Sequence, residues 1–98
     1  MHTAIRFYKT KVEKLDEPTL HKIETEFTHI LRTVPGFHAY RLIDSGNSSA
    51  ASVSFYETEE GALQSIEKTR DWVEANLNHL VDGPPTVFIG EQVFSELA

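Results

Sequence analysis

Apolar and polar positions along the chain first alternate, then recur at three- and four-residue steps, then alternate again, and each change of period predicts a change of element. Thr3 to Thr10 sets Ile5 and Phe7 on one side and Ala4, Arg6 and Tyr8 on the other, the two-residue period of a strand with unlike faces. Beyond the polar stretch Lys11 to Asp16, with Pro18 suited to a first turn, Leu20, Ile23, Phe27, Ile30, Leu31 and Val34 recur at helical spacing until Pro35-Gly36 stops them. Phe37 to Ile43 and Ala50 to Tyr56 are β-rich runs joined by Asp44-Ser45-Gly46-Asn47-Ser48-Ser49, a turn cluster short enough to force an antiparallel hairpin. Thr58 caps a second helix with Glu59 and Glu60 at its positive end, and Leu63, Ile66, Val73, Leu77 and Leu80 make its apolar stripe. That helix is expected to end before Asp82-Gly83-Pro84-Pro85, and Thr86 to Phe94 alternates as a fourth strand.

The βαββαβ order predicts one α+β domain over residues 1–98, a ferredoxin-like four-stranded antiparallel sheet. Right-handed crossovers give the strand order 4-1-3-2 and place both helices on one face. Burying the more apolar set against the helices directs Ile5, Phe7, Phe37, Ala39, Ile43, Val53, Phe55, Val87, Ile89 and Val93 inward. It leaves His2, Ala4, Arg6, Tyr8, His38, Tyr40, Leu42, Ser52, Ser54, Tyr56, Phe88, Gln92 and Phe94 on the open face. Three tyrosines and two phenylalanines on a bare sheet imply a covering layer, most simply an identical chain, so a homodimer through the open sheet face is expected.

Composition narrows the partners. Fifteen acidic against nine basic residues give a net charge of -6 with no basic cluster, the wrong sign for phosphates, so nucleic acid is not expected as a partner. No apolar run approaches the ~20 residues of a membrane span, and the first residues lack the charged-then-apolar order of a secretory signal. With no cysteine there is no thiolate chemistry, and cytoplasmic residence is the expectation. No phosphate loop, dinucleotide fingerprint or nucleophile elbow occurs, so no cofactor is expected. The five histidines are scattered without metal-ligand spacing, so neither is a metal.

Candidate chemistry lies in a few side chains. Trp72, Asn76 and His79 follow at steps of four and three, on one stripe of the second helix. They face a common ligand, or Trp72 seals the core edge while the other two are solvated. Arg41 alternates in phase with Ala39 and Ile43, which aims it at the helix side. It either lines a polar cleft fit for an anion or snorkels past a helix end from an edge strand, and Glu91 poses the same question on strand four. Gly90 within a strand marks a bulge or a close backbone approach.

Three stretches carry a resemblance over nearly the whole chain: Val34-Pro35-Gly36-Phe37 opening strand two, Ala51 to Glu57 leading into a helix, and Asp71-Trp72-Val73-Glu74-Ala75-Asn76-Leu77 with Pro84-Pro85 beyond. They resemble antibiotic-biosynthesis-monooxygenase-like domains of the dimeric α/β-barrel superfamily. The resemblance implies a ligand cleft between helices and sheet and a barrel formed by the two sheets of a dimer. Quinone-forming, cofactor-free members hold a phenolic substrate with tryptophan, asparagine, tyrosine and arginine. This chain has those types in Trp72, Asn76, Tyr40 and Arg41, though in an order that shows no match to theirs. Haem-degrading members carry an asparagine in strand one, which is lacking here.

The expected function is that of a cofactor-independent monooxygenase acting on a small aromatic molecule. Trp72, Asn76, Arg41 and His79 are its candidate catalytic residues, and Phe7, Phe37, Phe55 and Tyr40 its candidate ligand contacts. A non-catalytic binding or dimerisation module of the same fold is the alternative, and a haem-binding relative the third.

Overall fold

The computed structural model describes residues 1–98. In chain order it contains β1 (His2–Lys9), α1 (Glu17–Lys22), a π-helical turn (Ile23–Phe27), α2 (Thr28–Leu31), β2 (Phe37–Asp44), β3 (Ser49–Tyr56), α3 (Glu59–Asn76) and β4 (Thr86–Glu91). The strands form one antiparallel sheet in the order β2-β3-β1-β4, the ferredoxin-like α+β topology expected from the pattern.

Local chemistry explains the element ends. Asp16 accepts a hydrogen bond from the Thr19 amide at 2.9 Å to open α1, and the Thr58 hydroxyl accepts from the Gly61 amide at 3.1 Å to open α3. From α1 to α2 the backbone is continuous through the π-turn, where the Thr28 amide reaches back to the Ile23 carbonyl. Buried Ile23, Phe27 and Leu31 fall at steps of four, which overshoot an α-helical turn by about 40° each time. The wider turn removes that drift and keeps all three on one line.

Three expectations need correcting. α3 stops at Asn76 and a turn carries the chain to Leu80, so His79 leaves the helical stripe it was expected to share with Trp72 and Asn76. β4 ends at Glu91, short of Phe94. Gly90 is paired with Thr3 in unbroken register. The irregularity is instead in β2, where His38 is the extra residue between the pairs Phe37–Tyr56 and Ala39–Phe55.

The larger correction concerns the sheet faces. Ala4, Arg6, Ala50, Ser52, Ser54 and Tyr56 are buried beneath the helices, with Tyr8, Tyr40 and Leu42 beside them. Ile5, Phe7, Ala39, Arg41, Ile43, Val53 and Phe55 therefore stand on the open face, opposite to the expectation. Phe37, Val87, Ile89 and Phe88 keep their expected sides, Phe37 because the bulge reverses the phase of β2 immediately after it.

The reason lies in α3. Its buried stripe is Gly61, Ala62, Ser65, Thr69 and Trp72, while Leu63 of the anticipated apolar stripe is half exposed. α3 thus turns small side chains to the sheet, and the sheet buries the small Ala4, Ala50, Ser52 and Ser54 beneath the helices, so the large apolar set is left outside. Two clusters fill the space on either side of this contact: Ala4, Val34, Tyr56 and Ala62 at one end, and Ile23, Phe27, Leu31 and Trp72 at the other. No helix is long and apolar enough to cross a membrane.

Candidate functional site

Two spaces lie side by side between α3 and the sheet, separated by Tyr8, Val73 and Val81, which line both. The first is an apolar chamber of about 50 Å³ walled by Ile23, Phe27, Trp72 and Leu77 over Tyr40 and Leu42. The second is a cleft of about 500 Å³ with Arg6 and Tyr8 on its floor, Ile66 and Arg70 on its helical wall, and Pro84 and Val87 opposite. Ligand sites usually occupy roughly 300–1,000 Å³, so the cleft has the size of a ligand site and the chamber does not.

The cleft follows from local rules. Alternation in β1 sends Arg6 and Tyr8 to the same side, and the β1–β4 register sets Val87 directly beside Arg6. Ile66, Arg70 and Val73 follow at helical spacing on α3. The chain leaving α3 is fastened to the end of β1: the Lys11 amide donates to the Leu80 carbonyl at 2.7 Å, Thr10 bridges Val81, and the Asp82 amide donates to the Lys9 carbonyl at 2.8 Å. Gly83 then turns with φ +83°, a conformation that favours glycine, and the stiff Pro84-Pro85 pair forms the far rim.

The electrostatics of the floor centre on two side chains. Arg6 Nε donates to Tyr8 Oη at 2.7 Å, Arg6 Nη1 donates to the Ile66 carbonyl at 3.3 Å, and the guanidinium carbon is 5.6 Å from the Tyr8 ring centre. Burial raises the Tyr8 pKa above the ordinary phenol value, and the charge and hydrogen bond of Arg6 pull it back only in part. Tyr40, at the chamber floor, is raised further by burial, with Tyr8 and Tyr56 adding to the effect. Tyr56 is raised by burial as well. The Ser54 and Ser65 hydroxyls beside it pull the value back only in part.

The anticipated site residues scatter over this frame. Trp72 is buried with its ring centre 5.2 Å from that of Phe27, and Phe27 meets Tyr40 edge-on at 5.3 Å, so Trp72 and Tyr40 both border the chamber. Asn76 spends its side-chain amide on the Trp72 carbonyl at 2.9 Å, satisfying a helix-end acceptor. His79 is exposed beyond the helix end. Arg41 is exposed on the open face opposite Val53, and Phe7 and Phe55 share that face, turned away from the helices by the register of β1 and β3. Phe37 packs on Tyr56 with ring centres 5.8 Å apart, in the other cluster. No histidine lines either space.

Arg6, Tyr8, Arg70 and the Pro84-Pro85 rim were not anticipated. The available signal was the match between Ala4-Arg6-Tyr8 and the small Ser52 and Ser54, a surface that a close-lying helix needs.

No family model matches the chain, and no curated protein does. Solved structures do. A protein of unknown function from Nitrosomonas europaea shares 16% identity at a TM-score of 0.74, covering 99% of this chain and 93% of its own. The monooxygenase from the gene ActVA-Orf6 of Streptomyces coelicolor, in complex with nanaomycin D, shares 16% identity at 0.73, covering 99% and 91%. SnoaB, a cofactor-independent oxygenase from Streptomyces nogalater, shares 12% identity at 0.63, covering 97% of each chain. The structural neighbours of this chain are thus antibiotic-biosynthesis monooxygenases and related proteins of unknown function, and it has their fold.

Proposed function

We propose that the chain is a cofactor-independent oxygenase acting on a small aromatic molecule in the cleft over Arg6 and Tyr8, and that it works as a homodimer joined through its open sheet face. The observation that carries the reading is the cleft itself, about 500 Å³ and walled by both apolar and charged side chains, in a fold whose neighbours include oxygenases. In such a reaction a phenol ring carbon becomes a carbonyl with one atom of dioxygen. The other atom leaves as water with the two hydrogens lost from that carbon and the hydroxyl, so the substrate supplies all the electrons.

The protein's part is to hold the ring, exclude water and steady the charge on the substrate oxygen. Trp72 and Tyr40 shape the adjoining dry chamber, which has room for dioxygen and little else. The dimer is supported by the open face, where Phe7, Ile43 and Phe88 remain 52%, 56% and 62% exposed, with Ile5, Val53 and Phe55 among them.

The test is an oxygen electrode run alongside quinone absorbance, with a panel of phenols, naphthols and anthrones, a chelator present and no cofactor added. One dioxygen consumed per quinone formed is expected. Binding of panel members without oxygen uptake would overturn the oxygenase reading and leave a second, that of a non-catalytic binding module. The tight Trp72–Phe27–Leu31 packing, which closes the rest of the helix–sheet space, favours that second reading.

A further inference from the structure

Arg6 is 5% exposed, and no carboxylate stands against it. The ion pairs of the chain are His2–Glu59, Lys22–Glu26, His38–Glu57 and Arg70–Asp71. Glu74, the one carboxylate on the cleft wall, pairs with neither Arg6 nor Arg70. A guanidinium carries five N–H donors in a planar fork. Here Nε is engaged by Tyr8 at 2.7 Å and Nη1 only loosely by the Ile66 carbonyl at 3.3 Å, and the rest find no acceptor in the protein.

A buried, unpaired cation is costly, and an apolar side chain of the same volume in its place would leave the fold as stable or more so. Stability therefore does not account for Arg6. What it does offer is a charged fork on the floor of a 500 Å³ cleft whose other walls include Ile66, Val73, Val81, Pro84, Pro85 and Val87. Tyr8 completes the picture. Its oxygen accepts from Arg6, its burial keeps it protonated, and its own O–H is free to donate.

We infer that Arg6 anchors a planar oxyanion, carboxylate or phenolate, carried by an apolar aromatic ligand, with the Tyr8 hydroxyl as second donor. The inference takes its ligand from the oxygenase reading and specifies that ligand's charge, but it is tested by binding alone. The geometry of a guanidinium suits two coplanar oxygens or one delocalised oxygen and discriminates against neutral isosteres, because a neutral ligand leaves the cation uncompensated.

Isothermal titration with 2-naphthoate, its neutral amide 2-naphthamide, and 2,4-dinitro-1-naphtholate decides the matter. At least one anion is expected to bind roughly 10- to 100-fold more tightly than the amide, and the stronger of the two identifies the oxyanion as carboxylate or phenolate. In Arg6→Met the preference for the anion disappears, while the amide binds at least as tightly as before and the melting temperature does not fall. Equal affinity for anion and amide, retention of the preference in Arg6→Met, or no binding of either anion at millimolar concentration would overturn the inference.

Should Arg6→Met fail to fold, the Arg6 Nε–H resonance in the wild-type protein serves instead. It shifts with 2-naphthoate and not with 2-naphthamide, and an unmoved resonance in the anion-bound protein sinks the proposal. The anion preference found without oxygen uptake on any oxidisable phenol removes the oxygenase reading and leaves the anchor standing.

Discussion

A β-carbon on Gly61 would stand 2.7 Å from the carbonyl oxygen of Pro35. The turn that ends the first helical rod thus rests directly on the first turn of α3. The Glu57 amide fastens the same junction by donating to the Gly36 carbonyl at 2.9 Å. The close approach fixes where α3 begins over the sheet and so sets the height of the cleft wall. Gly61→Ala is expected to lower the urea midpoint by the equivalent of about 1–3 kcal/mol, the cost of overpacking against a rigid carbonyl. An unchanged midpoint would mean the turn yields freely.

The three tyrosines of the chain, Tyr8, Tyr40 and Tyr56, all have pKa values raised chiefly by burial. A group whose folded pKa exceeds its unfolded one adds stability that is whole below the unfolded value, about 10, and is lost as pH rises through the folded value. Tyrosinate absorbance at 295 nm should therefore show no ordinary phenol titrating near pH 10. All three should ionise together as circular dichroism reports unfolding. A stepwise titration of native protein near pH 10 would contradict this burial.

Asp16 and Asp44 behave in the opposite sense. The Thr19 hydroxyl, and then its amide, lower the Asp16 pKa, and the Leu15 and Gly46 amides, at 2.8 Å and 2.9 Å, lower that of Asp44. Their contribution is present above the unfolded carboxylate value near 4 and is lost as pH falls through the lowered folded values. Denaturant midpoints should fall between pH 6 and pH 3, and fall less in Asp16→Asn/Asp44→Asn, which starts lower at pH 6. Parallel curves for the two proteins would assign the acid loss elsewhere.

Trp72 is the sole tryptophan and is 7% exposed, so its fluorescence reports the chamber directly. Native emission is expected to be blue-shifted and poorly quenched by iodide, moving red on unfolding. Trp72→Ala should cost roughly 3–5 kcal/mol through lost burial and the cavity left against Phe27. Red emission from the native protein would show that the chamber is wet.

The open face makes its own prediction. Phe88→Asp places a charge where an apolar ring is 62% exposed, and it should convert a dimer to a monomer in sedimentation equilibrium without changing the far-ultraviolet spectrum. A wild-type protein that sediments as a monomer would remove the homodimer.

Much of the fold was legible because its signals are local. The hairpin follows from the Asp44–Ser49 turn residues and the start of α3 from the Thr58 cap, whereas the first helical rod ends at Leu31, short of the Val34 and Pro35-Gly36 end that the spacing suggested. The phase of the strands was not legible, because both faces of β1 to β3 carry enough apolar or aromatic surface to pass for the inner one. The rule that the larger apolar set lies inside then chose wrongly. Of the candidate residues, Trp72 and Tyr40 border the small chamber and none lines the cleft. Arg6 and Tyr8 were missed, because the wrong phase sent them to the far side.

By itself, then, the sequence determined the number, order and type of elements, and with them the topology, since periodicity, caps and turn residues act over a few positions and need no partner. Only the tertiary structure decided which face met the helices and where the cleft opened. Those outcomes depend on how closely α3 approaches the sheet, and the residues buried on the two sides, Ala62, Ser65 and Thr69 on α3 and Ser52 and Ser54 on β3, are small groups far apart in the chain. A single extra residue at His38 then reversed the phase of β2, a change that a two-residue period cannot announce in advance.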